Sequence, residues 1–143
     1  MGFNDGKHVR VILRWIQIKD MLEPANEAHG EFRFRARVSS GGAVTETSFP
    51  EEGHLEISDN PRFNTVRGID LVIFDGPAGD SLVVELFGEE IDLLGANDHL
   101  DDYRREFTGP ADGWAGIQAP GNEGLRDPEN MPLWRVGYEI EVE

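Results

Sequence analysis

Residues 85–103, ELFGEEIDLLGANDHLDDY, carry seven acidic side chains in nineteen positions. Six of them, Glu89, Glu90, Asp92, Asp98, Asp101 and Asp102, crowd into residues 89–102. Such a density of oxygens suits calcium, which takes roughly six to eight oxygen ligands and binds more tightly as charged ligands converge. The spacing does not follow the helix–loop–helix calcium pattern D-x-[DN]-x-[DN]-G-x5-E, so a site would have to be pooled from several loops. The plain alternative is a solvated acidic rim. Crowded carboxylates repel one another, so without a cation some would hold protons more tightly or splay outward.

Other groups offer weaker chemistry. GDSL at 79–82 looks like the nucleophile block of a serine esterase family, whose serine follows a strand, opens a helix and is served by a downstream Asp-x-x-His. Here VVELF continues as a strand and the Asp-x-x-His, Asp5 to His8, lies upstream. Ser81 therefore reads as a turn residue, and no catalytic residue is assigned. His8, His29, His54 and His99 show neither HExxH nor a paired zinc spacing. No nucleotide-binding glycine motif is present. Arg33, Arg35 and Arg37 share one face of a strand and would pair with the Glu139, Glu141 and Glu143 row of the last strand if the two strands are sheet neighbours. Trp114, in a Gly/Pro-rich stretch, would anchor a partner, stack on a sugar, or pack back as a plug.

The formal net charge is −15, a field that repels phosphate backbones and so argues against nucleic acid as a partner. The charge is uneven: residues 1–38 hold seven Lys/Arg against five Asp/Glu, and residues 39–143 hold six against twenty-three. The chain has no cysteine, which suits a cytoplasmic location and rules out disulfides and thiolate metal sites. The N-terminal residues lack the apolar core of a secretory signal, and no window is apolar enough to span a membrane.

Strand patterns dominate the 143 residues, which fit a single domain, 1–143. In HVRVILRWIQI (8–18), Val9, Val11, Leu13 and Trp15 alternate while Ile12, Ile16 and Ile18 take the other parity, so the strand is buried on both faces or bulged. EFRFRARV (31–38) alternates cleanly, and SSGG (39–42) signals a hairpin into AVTETSF. Further strands are expected at 54–58, 69–75, 81–87, 103–107 and 134–142, with Trp15 and Trp134 in the core. About eight strands without a convincing amphipathic helix predict an all-β antiparallel sandwich. Residues 108–132 form the one long irregular stretch, a length that is usually functional or mobile.

Three stretches, in order, resemble the C2 domain, the calcium- and lipid-binding β-sandwich family. VRVILRWIQIKDMLEP (9–24) resembles its opening strand and first loop, DNPRFN (59–64) its N-P-x-W-N segment with Phe63 for the tryptophan, and LVVELFGEEID…NDHLDD (82–102) its L-x-V-x-V-x-D-x-D strand and following D-D-x-x-G. The sequence departs from the pattern at Gly88, where the family has a calcium-binding aspartate, at Asp101, where it has a glycine, and by one strand too many between SSGG and NPRFN. The resemblance implies a C2-like fold, a calcium site drawn from Asp20, Glu90, Asn97 and Asp98, and a second route to a membrane in which the sheet-face row Arg33, Arg35 and Arg37 holds anionic head groups. Bound calcium would neutralise the loop end and leave coordination sites for lipid phosphates, turning a repelling tip into an attracting one.

The expected function is thus a non-enzymatic recruitment module that associates with an anionic lipid surface with calcium as cofactor, cytoplasmic and peripheral to the membrane. The alternative is a metal-independent protein-interaction or structural subunit of a larger assembly, docking through edge strands or residues 108–132. A carbohydrate-binding sandwich using Trp114 ranks third and an esterase last.

Overall fold

Period-two alternation builds the strands, and burial follows it. In β2 (His29–Ser40), Phe32, Phe34, Ala36 and Val38 are buried while Arg33, Arg35 and Arg37 are exposed, as one core-facing side of a strand requires. The protein is seen in a computed structural model that describes residues 4–19, 29–58, 64–91, 98–120 and 128–143. The other elements are β1 (His8–Ile18), β3 (Ala43–Phe49), β4 (Leu55–Ser58), β5 (Thr65–Val66), β6 (Leu71–Pro77), β7 (Ser81–Glu90), β8 (Asp98–His99), β9 (Tyr103–Thr108), a one-turn 3-10 helix (Ala111–Trp114), β10 (Gly116–Gln118) and β11 (Trp134–Val142). Among the described residues there is no α-helix, and none is long and apolar enough to cross a membrane.

Two antiparallel sheets pack as a sandwich. One runs β10–β11–β1, with β5 and β6 both on the far side of β1; the other centres on β2 and β7, with β3 and β4 along β2 and β8 and β9 along β7. β3 and β4 are successive pieces of one sheet edge, interrupted at residues 50–54, and they account for the supernumerary strand between SSGG and NPRFN. The core draws on both inner faces, with Val9, Val11, Leu13, Ile16 and Ile18 of β1 meeting Phe32, Phe34, Leu82, Val84 and Leu86. Phe34 stacks on Trp134 at 5.6 Å between ring centres.

The mixed parity of β1 is a bulge. Its register against β11 shifts between Leu13 and Trp15, so Val9, Val11 and Leu13 hand the inner face over to Ile16 and Ile18. Trp15 is consequently not core, contrary to the expectation for it. It lies half-buried over Gly137, where a Cβ would stand 2.2 Å from its Nε1.

One end of the sandwich is closed by backbone-to-backbone packing. The 41–42 turn joins β2 to β3 with φ of 58° and 81° at Gly41 and Gly42, the positive values a two-residue type I′ hairpin needs. A Cβ on Gly79 would fall 2.4 Å from the Gly41 nitrogen, so the crossover from β6 to β7 touches that turn directly. Ser40 Oγ accepts from Gly79 N and donates to the Ser81 carbonyl. Asn4 donates to the carbonyls of Gly79 and Gly109 and accepts from Ala111 N. Ser81, of the GDSL stretch, begins a strand and opens no helix, so the esterase geometry is not built.

Candidate functional site

The opposite end gathers the acidic segments. Phe32 of β2 pairs with Glu90 of β7, and Glu90 pairs in turn with Asp98 of β8. In the other sheet, Ile18 pairs with Trp134, and Lys19 N donates to the Leu133 carbonyl. Asp101 ties the two sheets together: its carboxylate accepts from Leu133 N at 2.8 Å and its carbonyl from Trp134 Nε1 at 2.8 Å. The ends of β1, β7 and β8 therefore meet at one pole. Asp20 and Asn97 lie outside the described residues, and of Asp98 only the backbone register is described.

Glu90 is the distinctive group. The strand expected over 81–87 continues to residue 90, so period two carries Leu82, Val84, Leu86, Gly88 and Glu90 inward. Glu90 is 2% exposed, and its Oε2 has no hydrogen-bond partner among the described residues. An ionised carboxylate held this way bears a large desolvation cost unless a cation or donor offsets it. At Gly88, one inward position earlier, a Cβ would stand 2.6 Å from Leu100 Cδ1 and 3.0 Å from the Phe34 ring, so a larger side chain there would have to displace both.

The arginine row lies on the outer face of the β2–β7 sheet. Contrary to the expected pairing, it does not face Glu139, Glu141 and Glu143, because β11 belongs to the other sheet. Glu139 takes Arg14 at 2.6 Å, and Glu141 opposes Arg10. Arg37 instead stands between Glu46, at 3.8 Å, and Glu85, while Arg33 opposes Glu89 and donates to the Gly53 carbonyl. Arg35 stacks over the Phe87 ring at 4.8 Å. With Glu89, His99 and Asp102, Arg33 and Arg35 line an open groove of mixed charge.

Trp114 is 2% exposed and donates its indole N–H to the Thr108 carbonyl at 3.0 Å. It plugs the closed end and offers no ring face to a sugar in this conformation. Where described, the 108–132 stretch carries regular elements: the 3-10 helix sits at the closed end, and β10 runs along β11 from Ile140 to Tyr138 toward the acidic pole. Trp114 and Glu90 consequently occupy opposite ends.

Two polar arrangements had no sequence signal. Arg105, facing inward from β9, donates to Glu129 at 2.7 Å and Gln118 at 2.9 Å, residues distant in the chain. Glu31, His54 and Glu56 converge on the outer face at the β2–β4 pairing, through a register that no spacing rule encodes. No protein-family model matches this chain, and no curated protein resembles it closely enough to establish a relationship.

Proposed function

We propose that this protein is a non-enzymatic, C2-like recruitment module whose acidic pole takes up calcium and then associates with an anionic membrane. The reading rests on Glu90, a buried carboxylate with an oxygen unpartnered among the described residues, beside the backbone of Asp98 at the pole where β1, β7 and β8 end. Calcium prefers carboxylate oxygen, and its charge would offset the desolvation of Glu90 and the repulsion among neighbouring acids. Neutralising that pole removes the main barrier to a negatively charged surface.

Calcium titrated at fixed ionic strength, with melting followed, tests this. At calcium one hundred times its Kd the fold should gain about 2.7 kcal/mol. Glu90→Gln removes a buried charge, so it should leave the chelated protein at least as stable while weakening the calcium response. Vesicles containing phosphatidylserine should sediment the wild-type protein with calcium and release it on chelation. No melting shift at millimolar calcium would overturn the reading.

A second reading, a metal-independent interaction subunit, is favoured by β10. Among the described residues this strand is a sheet edge, and Ile117 on it is 70% exposed. An open edge with an apolar side chain is a template for pairing with another chain. Association that survives chelation and is lost in Ile117→Lys, followed by size-exclusion chromatography, would favour it.

A further inference from the structure

We propose that Glu31, His54 and Glu56 form a site for a divalent transition ion of the zinc class. Glu31 of β2 directly opposes Glu56 of β4, and His54 immediately precedes β4. Each offers one ligand atom, and the three lie within 4.8 Å of one another, with His54 Nε2 3.8 Å from Glu31 Oε1. Two carboxylates face to face on neighbouring strands repel and weaken the pairing unless a cation lies between them. Among the described residues no lysine or arginine pairs with either. The adjacent arginine, Arg33, makes no ion pair with either carboxylate, and its Nε donates to the carbonyl of Gly53 at 3.1 Å. That bond anchors the residue just before His54 and so helps to hold the imidazole near the carboxylates.

The donor set selects the metal. Calcium and magnesium take oxygen ligands, whereas one imidazole with two carboxylates suits zinc and its first-row neighbours. Three protein ligands leave a fourth position to water. Tetrahedral bonds of about 2.0–2.2 Å require the three side chains to close slightly, which solvent-accessible glutamates and histidine can do without moving the strands. The site is separate from the Glu90 pole: Glu31 faces outward from β2, whereas Glu90 faces inward from β7.

Calorimetric titration of the full chain with zinc alone, and separately with calcium, tests the assignment on wild type, His54→Ala, Glu56→Gln and the control His99→Ala. Wild type and His99→Ala should bind zinc one to one. Losing a group that merely supports a ligand costs roughly 10–100-fold in metal affinity, so His54→Ala and Glu56→Gln should each weaken zinc at least about tenfold. Their calcium response should not change. Cobalt should give the intense visible absorption of a tetrahedral site in wild type and not in the two variants. All substituted side chains are solvent-accessible, and unchanged melting without metal verifies folding. Equal zinc affinity in His54→Ala, or no zinc binding at millimolar concentration, would overturn the proposal and leave a histidine–glutamate ion pair.

Discussion

The chain has two tyrosines, Tyr103 and Tyr138, and their hydroxyls meet at 2.6 Å inside the sandwich. Their rings contact edge to face, a favoured aromatic geometry. Burial pushes both phenols well above the ordinary tyrosine range, and at Tyr138 the neighbouring Tyr103 adds to the effect. A folded pKa raised above the unfolded value of about 10 means full stability below that pH and a progressive loss above it. The expected outcome is that tyrosinate absorbance in alkali appears together with unfolding rather than before it. Tyr103→Phe, which leaves the buried Tyr138 hydroxyl without this partner, should lower stability by about 1–3 kcal/mol in denaturant unfolding. Neither residue stood out in the sequence, because only the inward positions of β9 and β11 bring them together. Glu90 was legible as an acid near a strand end, but its burial depended on β7 running three residues further than its apolar pattern.

At the scale of elements, Arg105 links β9 to β10 and to the segment before β11. Glu129 is 2% exposed, and Arg105 also lies 4.7 Å from the centre of the Phe107 ring. Burial opposes the arginine's charge, but Glu129 and the tyrosine pair outweigh it, so its pKa is raised. Arg105→Leu should cost roughly 1.5–3 kcal/mol, the range for a hydrogen bond to a charged group, read as a lower urea midpoint. Most strands were legible element by element: 8–18, 43–49 and 134–142 have the bounds the sequence suggests. The two- and three-residue strands β5, β8 and β10 were not, since so short a run carries no periodicity. The row Arg33–Arg35–Arg37 was equally plain, yet its partners were not. Glu46, Glu85 and Glu89, like the rejected Glu139, Glu141 and Glu143, all lie on strands, and only sheet membership separates them.

For the whole molecule, a net charge of −15 makes the compact state repel itself. Sodium chloride added from low ionic strength should therefore raise the melting temperature, as the screening length shrinks to about 10 Å at 0.1 M. Calcium at matched ionic strength should raise it further if the acidic pole binds the ion, which separates binding from screening in one differential-scanning series. The sequence by itself determined the β class, the inward and outward faces of the longer strands and the hairpin at 41–42, because alternation and glycine turns are local properties. The tertiary structure alone decided that Glu90 is buried, that Trp15 lies outside and Trp114 inside, and that Glu31, His54 and Glu56 converge. Each of these depends on register or on which sheet a strand joins, and those are settled by contacts between residues far apart in the chain.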